Sequence, residues 1–143
     1  MTEVSFHFGV PDRWTYTCRL LRKAARRGAT VVVTGAPAAL QHLDRLLWTF
    51  DPIEFVPHVL LQRGQPAAGH LAPTPVWLSA DPLTAPAHDV LVNLGADAPA
   101  GFESYARLIE IVSNDDAERA AARVRWKHYQ SRGYPIQHHE AAE

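Results

Sequence analysis

The sequence predicts an α/β fold, a single three-layer α/β/α domain whose central sheet is mainly parallel. Residues 4–8 alternate between apolar and polar and indicate a strand that ends at Gly9. Residues 30–34 form a continuous β-branched run, which is typical of a strand buried on both faces. A helical pattern follows each strand, and this order favours right-handed crossovers in a parallel sheet covered by helices.

The two early helices have recognisable ends. Asp12 can cap a helix over residues 13–27 by accepting a hydrogen bond from a free backbone N–H. Leucines at helical spacing predict a second helix over residues 38–48, with Pro37 at its first position. The turn between the second strand and this helix holds one glycine and lacks both glycine-rich phosphate-binding patterns, so we expect no nucleotide there.

The rest of the chain continues with strands, connections and one more helix. Residues 49–74 are rich in proline and glycine and predict a long irregular connection with a short strand near residues 59–61. The later predicted elements are a strand over 76–79, a loop over 81–89, a strand over 90–94, a turn over 99–105, a strand over 107–112, and a helix from a Ser113 or Asn114 cap to Gly133. We expect one domain over residues 1–136 and a flexible tail over residues 137–143.

Composition narrows the class of protein. The chain has 143 residues, a formal net charge of −1 and 47% hydrophobic residues, which is ordinary for one globular domain. A net charge near zero does not indicate a nucleic-acid-binding protein. The single cysteine, Cys18, excludes an internal disulfide and fits a reducing cytoplasm. We expect neither a signal peptide nor a membrane span, because no basic region precedes an apolar run and no apolar run is long enough.

The sequence contains no recognisable catalytic or metal-binding pattern. The eight histidines form no ligand pair with a carboxylate or cysteine at metal-site spacing. No serine lies in a G-x-S-x-G context. We therefore expect no catalytic residues, no metal and no cofactor.

The last helix carries an informative combination of side chains. At about 100° per residue, Arg119, Arg123 and Trp126 fall on one stripe, with Arg125 on the flank. Arginine binds carboxylates through its fork of donors and tryptophan covers apolar surface, so the stripe suits a ligand with both a carboxylate and a ring. The alternative is a solvated basic face with Trp126 beneath a neighbouring loop. The packing face is expected on the opposite side, at Ala117, Ala121 and Val124 with Ala120 on its edge.

Two further aromatic residues have two possible roles. Trp48 ends the second helix, and Phe55 begins the irregular connection. Either they fill the core, or they line a protein-binding surface, where aromatic residues are the usual anchors.

Three segments together resemble the chi subunit of bacterial DNA polymerase III. They are residues 43–58 with the sequence LDRLLWTFDPIEFVPH, residues 89–94 with DVLVNL, and residues 110–134, which run from EIV through RVRWKHY to GY. Their order and spacing cover nearly the whole chain, and the combination is specific although each segment alone is weak.

The resemblance implies an accessory subunit of a DNA-directed DNA polymerase that acts in DNA replication without intrinsic activity. It implies a fold similar to nucleotide-binding domains but without a nucleotide site. It also implies binding to the acidic C-terminal tail of single-stranded DNA-binding protein, which ends in a phenylalanine with a free carboxylate. The family's tail-binding positions fall on Val112, Arg119, Arg123 and Trp126. Arg119 stands where lysine is common and Trp126 where tyrosine or phenylalanine is common, so a cation and a ring are kept.

The resemblance also implies a second partner. The family joins the clamp loader through a protein called psi, and the psi-facing surface involves Trp48 and Phe55. A repair helicase is an alternative partner for the same surface. We expect contact with DNA to be indirect and the protein to act in the cytoplasm, at the replisome or nucleoid. A small nucleotide-binding α/β enzyme is the least favoured alternative, because the glycines and acid–base set that it needs are absent.

Overall fold

The computed structural model describes residues 2–50, 56–61, 74–85 and 87–140, which form one seven-stranded sheet with three helices. The strands are β1 Glu3–Val10, β2 Val31–Thr34, β3 His58–Leu61, β4 Val76–Ser79, β5 Val90–Asn93, β6 Arg107–Ser113 and β7 Ile136–Glu140. The helices are α1 Arg13–Arg26, α2 Pro37–Thr49 and α3 Asp116–Ser131, with short 3₁₀ turns at Pro82–Thr84 and Phe102–Ser104. The strand order is β3-β4-β2-β5-β6-β1-β7, and every pairing between these strands is parallel.

Helices cover both faces of this sheet, which confirms the predicted three-layer α/β/α architecture. Leu21 of α1 and Leu43 of α2 belong to one buried apolar cluster. Ala122 and Tyr129 of α3 belong to the cluster on the other face, together with Trp77 of β4. The central strands are buried on both faces, as their β-branched runs predicted.

Local signals set most of the helix ends. Asp12 caps α1 by accepting a hydrogen bond from the Trp14 N–H at 3.0 Å, and Pro37 is the first residue of α2. Gly133 has φ 81°, the left-handed conformation that ends α3. The predicted cap of α3 is wrong, because Ser113 still belongs to β6. Asp115 caps the helix instead and accepts from the Glu118 N–H at 3.0 Å.

The C-terminal segment differs from the expected flexible tail. Residues 137–140 belong to β7, which pairs in parallel with β1 at the edge of the sheet. Its register places His138 opposite Phe6 and Glu140 opposite Phe8. The strand is mostly polar because an edge strand has one side open to water. Residues 141–143 lie outside the described part of the chain.

The packing face of α3 also differs from the expectation. Ala122, Arg125 and Tyr129 are buried, whereas Ala117 is exposed and Val124 is 69% exposed. The stripe of Arg119, Arg123 and Trp126 therefore lies about a quarter turn from the buried face rather than opposite it. Arg125 does not lie on a solvated flank. It points into the protein and binds the buried carboxylate of Glu110 on β6, as described below.

Candidate functional site

A cavity opens where β1, β7 and the start of α3 meet. Its volume is about 380 Å³, within the range of roughly 300–1,000 Å³ that is common for ligand sites. It lies at the carboxyl ends of the strands, where open α/β sheets usually bind ligands. The lining residues are Phe8, Gly9, Asn114, Arg119, His138 and Glu140.

Two aromatic rings line this cavity, and two more pack behind them. The ring centroids of Phe8 and His138 are 4.8 Å apart, in an edge-to-face arrangement. Trp126 packs beside both, with its ring centroid 6.1 Å from Phe8 and 6.4 Å from His138. Phe6 supports the group from the core at 5.0 Å from Trp126. These four rings are called the aromatic wall below.

Gly9 leaves room for a side chain of β7 beside the wall. Its φ of 72° is left-handed, which side chains rarely adopt. A Cβ at this position would also lie 2.9 Å from Oε2 of Glu140. The absence of a Cβ therefore lets the Glu140 carboxylate lie against the backbone of β1 at the rim of the cavity.

The charges at the cavity have opposite signs on its two sides. Arg119 is exposed and lines the cavity from α3. On β7, Glu140 Oε1 lies 3.1 Å from His138 Nε2. Arg123 follows Arg119 by one helical turn and is also exposed. A ligand that carries negative charge is thus attracted towards the α3 side.

The structure brings together three of the four residues that the sequence singled out on and beside α3. Arg119 lines the cavity, Trp126 belongs to its aromatic wall, and Arg123 lies on the exposed surface next to Arg119. Val112 is only 1% exposed and lies in the core cluster that also contains Phe6, Phe8 and Trp126. A ligand would reach this buried side chain only after another side chain had moved.

Comparison with known proteins identifies the family to which the chain belongs. The family described as DNA polymerase III chi subunit, HolC, matches residues 1–137. The chain belongs to this chi family. The DNA polymerase III subunit chi of Pseudomonas aeruginosa is 34% identical over 97% of this chain and 96% of its own length. The DNA polymerase III subunit chi of Haemophilus influenzae is 32% identical over 83% of this chain and 81% of its own length. The chi-family chain is therefore a subunit of the replicative DNA polymerase III assembly.

Five of the six cavity-lining residues in this chi-family chain were not anticipated as site residues, and three of these five carry large side chains from the two strands. Phe8, His138 and Glu140 come from β1 and β7, and the last two fall in the segment expected to be a tail. The available signal was alternation, since positions 136, 138 and 140 share one face of a strand. A five-residue polar segment gives this signal too weakly to be recognised alone.

A second feature of the chi-family chain is a buried polar network under α3. Glu110 of β6 is fully buried and accepts hydrogen bonds from Arg125 Nε at 3.1 Å and from the Tyr129 hydroxyl at 2.6 Å. Asn93 Nδ2 donates to both carboxylate oxygens at 3.0 and 3.1 Å. Arg125 Nη1 also donates to the Ala96 carbonyl at 2.7 Å.

Burial and the neighbouring groups act on Glu110 in opposite directions. Burial raises the pKa of its carboxyl group, whereas the Arg125 charge and the donated hydrogen bonds oppose that shift. Because every partner is satisfied, the network fixes the rotation of α3 on the sheet and so decides which side chains face the cavity.

The second predicted surface is only partly described. Trp48 is 61% exposed at the end of α2, so it does not fill the core. Its ring meets His58 edge-on, with centroids 5.3 Å apart. His58 lies 3.1 Å from Asp44 through Nε2, and its Nδ1 donates to the Val56 carbonyl at 2.8 Å. Phe55 lies outside the described residues.

Two findings concern other kinds of site. Within the ranges described here, no three histidine, cysteine or acidic side chains converge in a way that could hold a metal ion. Over the same ranges, none of the helices combines the length and apolar content needed to cross a membrane.

Proposed function

We propose that this chi-family protein is a non-catalytic adaptor that binds the C-terminal tail of single-stranded DNA-binding protein at the cavity beside α3. The observation that carries the proposal is that Arg119 lines the same cavity as Phe8 and His138, two rings of the aromatic wall. A chain end with a phenyl ring and a free carboxylate needs this pair of groups. The acidic tail that the chi resemblance implies has both.

Each part of the tail has a matching part of the site. The terminal carboxylate accepts charge-assisted hydrogen bonds from Arg119, and the phenyl ring packs on Phe8, Trp126 and His138. Acidic residues that precede the phenylalanine lie along the exposed side of α3, where Arg123 attracts them. Val112 keeps the wall in place from the core.

The consequence is tethering rather than catalysis. Single-stranded DNA coated with the binding protein presents many tails, and binding one of them raises the local concentration of the polymerase assembly. We propose that the protein acts at the replisome in this way, without a cofactor or intrinsic activity. The exposed Trp48, beside His58, supports the proposal that psi of the clamp loader binds the end of α2.

A titration of peptides against the full chain tests the tail site. The probe is a labelled acidic peptide that ends in phenylalanine with a free carboxylate. We expect measurable binding that weakens as salt rises, because part of the attraction is screened. Amidating the carboxylate, or deleting the phenylalanine, should each weaken binding at least tenfold. Equal binding of all three peptides would show that only diffuse charge attraction is present.

A pull-down tests the psi assignment. Tagged chain with Trp48→Ala should lose psi from a lysate but keep single-stranded DNA-binding protein. Loss of a repair helicase instead of psi would assign the Trp48 surface to that helicase. If the variant retained both psi and the helicase, the end of α2 would not be the binding surface for either protein.

A further inference from the structure

Helix α1 carries a basic surface that the tail site does not use. Six of the chain's 14 lysines and arginines lie between residues 13 and 27. Residues 13–43 contain no aspartate or glutamate, although the chain as a whole has a net charge of −1. The overall charge therefore conceals a strongly basic segment in one part of the molecule.

The structure arranges the exposed part of this charge in a line. Arg19, Lys23, Arg26 and Arg27 are exposed. Arg19, Lys23 and Arg26 fall on the side of α1 opposite the buried Thr17, and Arg27 is the residue that caps the end of the helix. Arg19, Lys23 and Arg27 follow one another at i, i+4 spacing, about 6 Å apart along the helix axis. These four side chains are called the basic ridge.

The internal structure of the helix does not explain the whole ridge. Cations in the last turn of a helix are favourable near its negative end, which accounts for Lys23, Arg26 and Arg27. Arg19 lies nearer the middle of α1, outside that last turn. Like charges at i, i+4 spacing destabilise a helix, and the ridge has two such pairs. A partner of opposite charge would relieve that repulsion.

We propose that the basic ridge of α1 contacts the phosphate backbone of single-stranded DNA directly and without sequence preference. The chain belongs to a DNA polymerase III subunit family, so DNA is present where it works. The chemistry of the ridge is that of electrostatic phosphate contacts, in which lysine and arginine displace counterions. An anionic membrane fits less well, because the apolar face of α1 is packed on the sheet and is not available for insertion.

This contact goes beyond the tail site and does not depend on it. It differs from the expectation, implied by the chi resemblance, that contact with DNA is indirect. A tethered protein with a weak DNA contact of its own would keep the polymerase assembly close to the strand while the tail exchanges.

The test is fluorescence anisotropy of a labelled oligothymidine of 20 nucleotides with the full chain at several salt concentrations. If three phosphates are contacted, log affinity should fall with log salt with a slope of about −2. Arg19→Glu with Lys23→Glu should weaken binding at 50 mM salt by more than about tenfold and reduce the slope by about 1.4. Arg19→Gln with Lys23→Gln should weaken binding and reduce the slope as well, but each by a smaller amount.

The matched control changes the same number of charges elsewhere. Lys127 and Arg132 are exposed on α3, across the sheet from α1, and replacing both by glutamate should weaken binding less than about threefold. Thermal melting checks that all variants fold. The acidic peptide should bind the α1 variants as it binds the unaltered chain, which separates this proposal from the tail site.

Three results would overturn the proposal. The first is no binding of the oligonucleotide at 50 mM salt. The second is equal weakening by the α1 pair and the α3 pair, which would mean that only overall charge matters. The third is binding to anionic lipid vesicles without binding to the oligonucleotide, which would assign the ridge to a membrane surface.

Discussion

Two kinds of arginine on α3 show how the same side chain is put to different uses. Arg125 is 6% exposed and bonded to Glu110, whereas Arg119 and Arg123 stand in solvent on a neighbouring stripe. The helix does not distinguish them. The difference comes from what the sheet places beneath each one: a buried carboxylate under Arg125, and the rim of a cavity beside Arg119.

The comparison separates structural charge from available charge. Removing one partner of a buried ion pair is strongly destabilising, because the remaining charge is left uncompensated in the interior. An exposed arginine contributes little to the free energy of unfolding, and its guanidinium is accessible to a ligand. Variants of the two kinds should therefore affect different measurements.

The largest effect is expected at the buried pair. Arg125→Ala or Glu110→Ala should lower the free energy of unfolding by about 3–5 kcal/mol, because either change strands a buried charge. Urea denaturation measures this. Val124→Ala is the control on the same helix and should change stability by less than about 0.5 kcal/mol, because Val124 is 69% exposed. A small effect at Arg125 would mean that the network does not anchor α3.

The next effect concerns the proposed ligand site. Arg119→Ala should cost about 1.5–3 kcal/mol of peptide affinity, roughly ten- to hundredfold, with little change in stability. Trp126→Ala should cost a comparable amount by opening the aromatic wall, and Arg123→Ala is expected to weaken binding in the same range. Lys127→Ala serves as the exposed control, since Arg125→Ala would disturb the fold. If Lys127→Ala weakened binding as much as Arg119→Ala, a specific site would be excluded.

The partly buried His7 should have an effect on the free energy of unfolding that lies between those of the buried and the exposed arginines. Burial, followed by the nearby charges of His139 and Arg107, lowers the pKa of His7 from 6.5 to about 4. The unfolded chain binds the proton between those values and the folded chain does not, so stability is full above pH 6.5 and declines as the pH falls towards 4.

The size of this pH effect is limited by solvent. After allowance for the exposed part of the ring, the loss attributable to His7 should be about 1–2 kcal/mol. His7→Gln should flatten the decline in unfolding free energy over this interval. An unchanged pH dependence in that variant would assign the decline to other groups.

The smallest effect is expected at the rim of the cavity on β7. Glu140 opposes a negatively charged ligand, and its Oε1 lies 3.1 Å from His138 Nε2. Glu140→Gln should raise the affinity for the acidic peptide by up to about fivefold, in line with the 0.2–1 kcal/mol typical of exposed charge pairs. Weaker binding in this variant would show that Glu140 accepts a hydrogen bond from the ligand.

The elements that could be predicted are those fixed by local chemistry. The β-branched run of β2, the Asp12 cap and Gly133 each act on the chain within a few residues. The burial of Arg125 could not be read from the helix, because it depends on Glu110, which lies 15 residues away. Strand β7 was missed because its position depends on pairing with β1 rather than on its own composition.

The candidate site was predictable to a similar extent. Helical spacing brought Arg119, Arg123 and Trp126 together, since all three belong to one helix. It could not supply Phe8, His138 or Glu140, which approach from two strands at the two ends of the chain. Nor could it show that the Val112 side chain is buried in the core.

A double-mutant cycle between Arg119 and the peptide's terminal carboxylate tests the central claim most directly. Affinities are measured for the unaltered chain and Arg119→Ala, each with the free-acid and the amidated peptide. If Arg119 binds the carboxylate, amidation should cost the unaltered chain at least tenfold and the variant almost nothing, a coupling of about 1.5 kcal/mol or more. If amidation costs both proteins the same factor, Arg119 does not contact the carboxylate and the proposed tail site is wrong.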